Sequence, residues 1–350
     1  MFQDISIEDL AEQKKGKLVL IDVRSPSEYA QSTIPGSINI PLFDDQERAE
    51  IGTLYKQVSV DAAQDRGLEI VSAKLPAFIR KFGAIPEKKA VFCWRGGMRS
   101  RTTATLLSLM NIHAYRLSGG YRAYRQWVVA MLESLSFEPP AYVIHGHTGN
   151  GKTALLRKLK QKGYPVLDLE GMAGHRGSVF GEIGLRSHNQ KTFDSLLLEE
   201  LLQLQHRNAP YLLMEAESKR IGKVVIPELV MTKKDQGFHI RVELPMEARV
   251  QTILEDYQPW DDPEACMKAF MKIESRIHRP IAAEIGECLK DGKYERAVEL
   301  LLLYYYDPRY TFTEEQYEGA EFTTIRADSV DEAVLAVEEL LGRTAGQTAN

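Results

Sequence analysis

Cysteine is scarce in this chain: 350 residues hold three, Cys93, Cys266 and Cys288, all far apart. Such spacing builds no disulfide framework, so a reducing, cytoplasmic setting is the expectation. No cysteine–histidine cluster has zinc spacing, and no resident structural metal is expected. Long apolar runs are missing too; Leu300 to Tyr306 is far shorter than the ~20 residues of a membrane span. The opening MFQDISIEDLAEQ carries early acids and no basic stretch before an apolar core, so no signal peptide is expected. Net positive charge is also lacking. With 44 Lys+Arg against 49 Asp+Glu, bulk charge attracts no nucleic acid, and any such partner needs a local patch.

What is present is an ordinary globular composition, 44% hydrophobic and 27% charged. The length favours two domains of roughly 150 residues each. Charge divides unevenly: residues 1–135 hold 18 Lys+Arg and 15 Asp+Glu, whereas residues 136–350 hold 26 and 34. Strand-like runs (KLVLIDV, SINI, AVFC) alternate with helix-length segments in the first half, which predicts a parallel α/β sheet. Pro139-Pro140 stops the preceding helix and places a boundary between domains 1–135 and 136–350. Alternation then restarts with Ala141 to Ile144, Lys152 to Lys162, Pro165 to Leu169, Phe193 to Leu204 and Tyr211 to Met214. From Glu247 to Tyr306 the pattern is mostly helical, and the last residues, GRTAGQTAN, read as a frayed tail.

Two loops carry chemistry. In the first, AVFC ends at Cys93 and is followed by Trp94, Arg95, Gly96, Gly97, Met98, Arg99 and Ser100, then by a helix. Glycine-rich backbone amides and a helix N-terminus stabilise an anion, a thiolate included, and Arg95 and Arg99 add positive charge. Cys93 is therefore the candidate catalytic residue, with Arg95, Gly96, Gly97, Arg99 and Ser100 as its anion-binding surround; the alternative is a buried core cysteine. Cys266 and Cys288 lie in helical patterns and read as structural.

In the second, Gly146-His147-Thr148-Gly149-Asn150-Gly151-Lys152-Thr153 fits G-x4-G-K-[ST] between a strand and a helix. Gly146, Gly149, Asn150, Gly151, Lys152 and Thr153 are the predicted phosphate-binding residues, and the threonine hydroxyl offers a ligand to Mg²⁺. The strand YLLMEAE places Glu215 and Glu217 on one face, as candidate acids or metal-facing groups. Glutamate stands where aspartate is usual, which argues against ordinary ATP hydrolysis; a solvated strand end is the alternative. Asp168 and Glu170 form a second acidic pair after another strand. His175, Arg176 and Ser178 follow among glycines, as a substrate loop or a plain polar loop.

The first 130 residues or so resemble the rhodanese family, through Asp22-Val23-Arg24 with Glu28-Tyr29, through Ile34-Pro35-Gly36-Ser37-Ile38-Asn39-Ile40-Pro41, and through the cysteine loop. The loop departs from the common pattern by one extra residue between Cys93 and Ser100, and so also fits the C-x5-R spacing of cysteine phosphatases. The wider loop is expected to accept a tetrahedral, phosphate-like group. Taken whole, CWRGGMRS, GHTGNGKT, DLEGMAGHRGS and EAES in this order resemble the tRNA 2-selenouridine synthase family. That resemblance implies a rhodanese-like parallel-sheet domain joined to a P-loop NTPase-like α/β domain with a helical C-terminal part. It implies a transferase that geranylates the wobble 2-thiouridine of tRNA with geranyl diphosphate and then exchanges the S-geranyl group for selenium from selenophosphate. Its partners would be thiolated tRNA and, by extension, an enzyme supplying selenophosphate.

On this reading the P-loop holds the prenyl diphosphate and Cys93 handles selenium. An apolar groove for the geranyl chain is expected among the helices after Glu247, where Tyr304, Tyr305 and Tyr306 form a run. For tRNA, Arg116, Arg122 and Arg125, interleaved with Tyr121, Tyr124 and Trp127, are candidate contacts, and Lys219 and Arg220 with Lys223 are a second set. The rival reading is a rhodanese-type sulfurtransferase with a nucleotide-hydrolysing regulatory domain.

Overall fold

The computed structural model describes residues 2–13, 18–309 and 321–347, and they divide into two compact units. The first takes in residues 1–134 with 194–198, a stretch of the helix Gln190–His206, and the second the remainder. The first unit runs β1 (Gln3–Ile5), α1 (Ile7–Gln13), β2 (Leu18–Asp22), α2 (Pro26–Gln31), β3 (Ile38–Asn39), α3 (Asp45–Gln57), α4 (Val60–Gly83), β4 (Lys88–Phe92), α5 (Met98–Leu109), β5 (Tyr115–Leu117) and α6 (Gly120–Ser134). Its five strands are all parallel, in the order β1-β5-β4-β2-β3. Leu20, Ile21, Val91 and Phe92 are almost wholly buried, as the continuous apolar runs of a two-sided parallel sheet require.

A buried ion pair ties the start of the chain into this sheet. Arg24 donates to both carboxylate oxygens of Asp22 and to the Ser32 carbonyl, and its guanidinium lies 4.4 Å from the centre of the Tyr121 ring. Thr33 donates to the same Asp22 carboxylate, and Asn39 to the Asp22 and Arg24 carbonyls. A buried charge needs such saturation, since water is not there to solvate it.

The second unit runs β6 (Ala141–His145), α7 (Lys152–Gln161), β7 (Val166–Leu167), α8 (Leu169–Ala173), α9 (Gln190–His206), β8 (Leu212–Glu215), β9 (Arg220–Ile221), β10 (Val224–Val225), α10 (Glu228–Asp235), β11 (Phe238–Glu243), α11 (Met246–Tyr257), α12 (Pro263–Met271), α13 (Arg279–Lys290), α14 (Tyr294–Leu301), β12 (Phe322–Arg326) and α15 (Val330–Gln347). A five-stranded parallel sheet has the order β12-β11-β6-β8-β7, and β9 and β10 form a separate antiparallel ribbon. The central β6 thus carries its loop to the carboxyl end of the sheet, between two neighbours.

Helices α11 to α14 fold into an apolar cluster of their own, as the helical pattern after Glu247 predicts. Directly after α14 the chain makes a π-helical turn over Leu302–Tyr306. The strands β11 and β12 were not expected, and residues 342–347, expected to fray, continue α15; residues 348–350 lie outside the described ones. Among the described residues no helix is long and apolar enough to cross a membrane.

Candidate functional site

In the first unit β4 delivers Cys93 to the loop that precedes α5. Its Sγ lies 3.2 Å from the hydroxyl of Ser100, and both residues are buried. Gly97 caps α5, so the helix begins beside the thiol. The far side of the loop is closed by Gly119 and Gly120, both at positive φ, where α6 starts. The amides of Tyr121 and Arg122 donate to the carbonyls of Cys93 and Trp94, each at 2.9 Å. A Cβ on Gly120 would lie 2.3 Å from the Cys93 carbonyl oxygen, so only glycine lets the two segments touch.

The arginines of this region divide by role. Arg95 is exposed at the loop. Arg99 is bound by both carboxylate oxygens of Glu28 on α2 while its charge still acts on Cys93. Arg116 pairs with Asp4 at 2.6 Å and donates to the Gly96 carbonyl at 3.0 Å. It therefore belongs to the cysteine loop, where the sequence suggested a contact for tRNA. Arg125 pairs with Asp194 at 2.9 Å, and Arg122 is exposed. Tyr121 and Tyr124 are core residues in a run of ring contacts from Trp94 to Trp127, so they do not offer faces to bases. Lys219 and Arg220 sit exposed at the β9–β10 ribbon, Lys219 paired with Glu228.

In the second unit the loop between β6 and α7 has Gly146, Gly149 and Gly151 at φ 152, 85 and 67, conformations that side chains disfavour. The Lys152 ammonium donates to the carbonyls of Gly146 at 2.7 Å and His147 at 3.3 Å, folding back over the loop. Asn150 has a part in the loop's own architecture. Its side-chain amide donates to Val242 O at 2.8 Å and accepts from Leu244 N at 3.2 Å, so it anchors the loop to β11 while the residue lines the cavity beside the loop. Arg249 on α11 grips the other side. It donates to the Thr148 carbonyl and to both oxygens of Asp307, and His147 Nδ1 lies 3.4 Å from that carboxylate. Neither Arg249 nor Asp307 carries a sequence signal; both lie in helical stretches far from the motif.

Below the loop three glutamates converge. Thr153 donates to Glu170 at 2.9 Å, and carboxylate oxygens of Glu170, Glu215 and Glu217 all lie within 4.8 Å of one another. The period-two spacing that paired Glu215 with Glu217 holds, and Glu170 joins them from α8. Burial, then the charge of Glu217, pushes Glu170 up to about 7. Burial, then Glu170 and Glu217, raises Glu215 well above the usual carboxylate range, and burial also raises Glu217. Both Glu215 oxygens are buried with no hydrogen-bond partner. Asp168 stands apart from this group, capping α8 through the Gly171 amide at 2.8 Å.

The glycine-rich segment after α8 is more structural than expected. Arg176 donates to the Ile183 and Asp256 carbonyls and stacks over Tyr257, whose hydroxyl is 2.9 Å from that of Ser178. His175 is buried, and its Nδ1 accepts from the Gly177 amide at 3.1 Å. At the end of β6, His145 meets His239 at 2.8 Å; burial, then the His239 and Lys152 charges, pushes His145 down to about 3, so it is neutral at physiological pH.

The loop, the glutamates, Arg241, Arg249, Arg309 and Tyr306 surround a cavity of about 630 Å³. Against it lies a small, almost wholly apolar pocket of about 60 Å³, walled by Phe180, Ile183, Cys266, Leu289, Val298 and Leu301. Thr148, Ile253, Tyr257 and Tyr306 line both. Of the predicted tyrosine run, Tyr306 lines these cavities, Tyr305 is core and Tyr304 is exposed.

Comparison with known proteins gives matches along most of the chain. Residues 6–126 match the rhodanese-like domain, and residues 139–278 match the tRNA 2-selenouridine synthase AAA domain. The tRNA 2-selenouridine synthase of Nitrosomonas europaea is 31% identical, over 97% of this chain and 90% of that one. The protein of that name from Sulfurovum sp. is 30% identical over 84% of this chain and 88% of its own. That from Bdellovibrio bacteriovorus is 34% identical over 68% and 64%.

Proposed function

Since the chain belongs to the tRNA 2-selenouridine synthase family, we propose that it exchanges the sulfur of wobble 2-thiouridine in tRNA for selenium through an S-geranylated intermediate. Geranyl diphosphate and selenophosphate are the co-substrates, and an enzyme that makes selenophosphate supplies the second. The observation that carries this reading is the apolar pocket that shares four wall residues with the P-loop cavity. A nucleoside triphosphate presents a polar sugar beside its phosphates, whereas a prenyl diphosphate presents a hydrocarbon there. A diphosphate in the loop with the first carbons of an alkyl chain in that pocket of about 60 Å³ would use both cavities at once.

The chemistry follows from the residues. The thiocarbonyl sulfur attacks the first carbon of the geranyl group, a C–S bond forms, and the C–O bond to pyrophosphate breaks. Loop amides and Lys152 stabilise the negative charge developing on the leaving oxygen. Mg²⁺, when bound at the threonine of the loop and the nearby glutamates, would add to that stabilisation. Alkylation makes the sulfur a better leaving group than a thiocarbonyl. The selenium of selenophosphate then attacks the ring carbon that bears this sulfur. A C–Se bond forms, and the C–S bond breaks with departure of geranylthiol. Water cleaves the Se–P bond to release phosphate, while Cys93, Ser100, Arg95, Arg99 and the loop amides receive the tetrahedral selenophosphate. Arg122, Lys219 and Arg220, all exposed, remain the candidates for tRNA phosphates.

The test is incubation with thiolated tRNA, geranyl diphosphate and selenophosphate, followed by mass analysis of the nucleosides. Lys152→Ala should lose geranylation; Cys93→Ala should keep it and lose selenation. Loss of the same step in both variants would contradict this division of labour. Nucleotide hydrolysis coupled to sulfur transfer from thiosulfate, without tRNA, would favour a sulfurtransferase instead.

A further inference from the structure

A thiolate can meet a selenophosphoryl group at selenium or at phosphorus, and the two encounters differ in where the electrons go. Attack at selenium makes an S–Se bond, and the Se–P electron pair leaves with phosphorus. Phosphorus then departs as phosphite, two electrons richer, and the sulfur-bound selenium needs a reductant before it is released. Attack at phosphorus changes no oxidation state. An S–P bond forms, the Se–P pair stays on selenium, and water later frees phosphate. Reductive release from sulfur is the work of a second thiol, and the unit that carries Cys93 holds no other cysteine; Cys266 and Cys288 are both buried and both belong to the second unit.

The surround of Cys93 points the same way. Its Sγ lies 3.2 Å from the Ser100 hydroxyl, whose other neighbour, the Gly97 carbonyl, is farther away at 3.4 Å. A hydroxyl so placed donates to a thiolate, and it stabilises the charge that returns to sulfur when an S–P bond breaks. Arg99 is fixed by both Glu28 oxygens, and its charge and that of Arg116 both act on Cys93. The twelve-residue α5 begins beside the same sulfur. Fixed guanidinium charge and helix amides suit the three oxygens of a phosphoryl group on sulfur. A selenium atom on sulfur has no such oxygens to offer them.

We propose that Cys93 is a phosphoryl acceptor: its thiolate takes the phosphoryl group from the selenophosphoryl adduct on the tRNA base, forming a phosphocysteine that water then hydrolyses. This rests on the reading above, in which selenophosphate displaces geranylthiol, and it resolves the cleavage of the Se–P bond into two steps. In the first, the S–P bond forms and the Se–P bond breaks. The electron pair goes to selenium, and a proton from solvent completes N3–H of the base. In the second, a water oxygen bonds to phosphorus and the S–P bond breaks. The electron pair returns to Cys93, helped by Ser100, and phosphate leaves. Selenium never bonds to the protein.

The experiment is a single turnover of the full-length protein on S-geranylated tRNA, stopped rapidly with denaturant at neutral pH. Selenophosphate carries radioactive phosphorus in one run and radioactive selenium in another. The phosphorus label is expected on Cys93 and the selenium label on tRNA alone. Ser100→Ala should still pass the phosphoryl group to sulfur but hydrolyse it about tenfold or more slowly, so that more label accumulates on the protein. Cys93→Ala should form the C–Se bond and stall there, giving no 2-selenouridine and a nucleoside whose mass still includes the phosphoryl group. Selenium label on the protein, released by dithiothreitol, would overturn the proposal. So would 2-selenouridine from Cys93→Ala at the parent's rate, or turnover by Ser100→Ala without phosphorus label. Circular dichroism checks both variants, and Ser100→Ala decides alone if Cys93→Ala does not fold. A parent that makes no 2-selenouridine from these substrates counts against the assigned reaction. A parent that makes it with selenium on Cys93 sinks the phosphocysteine and leaves the reaction standing.

Discussion

Glu28 and Arg99 lie 71 positions apart in sequence, yet the guanidinium of one is held by both oxygens of the other, and the pair buttresses the first turn of the helix that follows Cys93. Burial works against the carboxylate, but the Arg99 bond and charge, the Ser25 amide and Arg24 together hold Glu28 below its ordinary value. Its folded pKa is therefore the lower one. The stabilisation is complete above the unfolded value of roughly 4.3 and is lost as pH falls through the folded value. The stability difference between parent and Glu28→Gln, measured by urea unfolding, should be about 1–2 kcal/mol at neutral pH and should vanish in acid. A difference that grows as pH falls would be the wrong sign.

The contact between Cys93 and Gly120 makes a sharp prediction from a matched pair of substitutions. Gly120→Ala places a methyl against a backbone oxygen at positive φ, and should cost about 3–5 kcal/mol. Gly342→Ala, in helix α15, meets nothing within 4 Å and has no positive φ. Thermal melting should show the first variant strongly destabilised and the second close to the parent.

Asn150 is predicted to act through the loop and not on the ligand. Asn150→Ala leaves the buried Val242 carbonyl and Leu244 amide without their side-chain partner, at a cost of about 2–3 kcal/mol. Denaturant unfolding should show that loss. Saturating pyrophosphate should recover much of it, since a ligand that binds only the folded loop stabilises by mass action.

Arg249→Leu should separate the loop from Asp307. Breaking a largely buried pair that also holds the Thr148 carbonyl should destabilise by about 2–4 kcal/mol and weaken pyrophosphate binding. Calorimetry on the folded variant reads the second effect directly. Unchanged affinity would mean the clamp is purely structural.

The apolar pocket gives a prediction about chain length. Val298 lines it and is absent from the lining of the phosphate cavity. Val298→Trp should fill the pocket and raise KM for geranyl diphosphate by about tenfold or more, while dimethylallyl diphosphate and pyrophosphate are affected less. Equal losses for the short and long donors would remove the pocket from the assignment.

Much of this was readable in the chain because local rules governed it. The two phosphate-type loops are backbone devices, and their glycines, lysine and threonine must stand at fixed spacing, so Gly146 to Thr153 declares itself. Strands β2, β4, β6 and β8 are buried on both sides and read as unbroken apolar runs. By contrast, β11 alternates Ile240 and Val242 with His239 and Arg241, and the charged positions hid it. Edge strand β12, FTTIR, is too polar to stand out. The site is assembled by distance in sequence: Glu170 reaches Glu215 across an intervening helix, and Arg116 finds Asp4 112 positions away. No local pattern encodes such meetings. The same blindness made Tyr121 and Tyr124 look like stacking platforms, although amphipathic spacing fits a core face equally well.

The four residues that line both cavities, Thr148, Ile253, Tyr257 and Tyr306, act as a party wall. Evolution or a designer wishing to admit a longer donor cannot move that wall without also reshaping the space where the leaving group departs. Room has to be won on the opposite side, at Pro259, Cys266 or Leu289. Relatives that use donors of different length should therefore vary at those outer positions and keep the shared ones, so that selectivity drifts while the chemistry stays fixed.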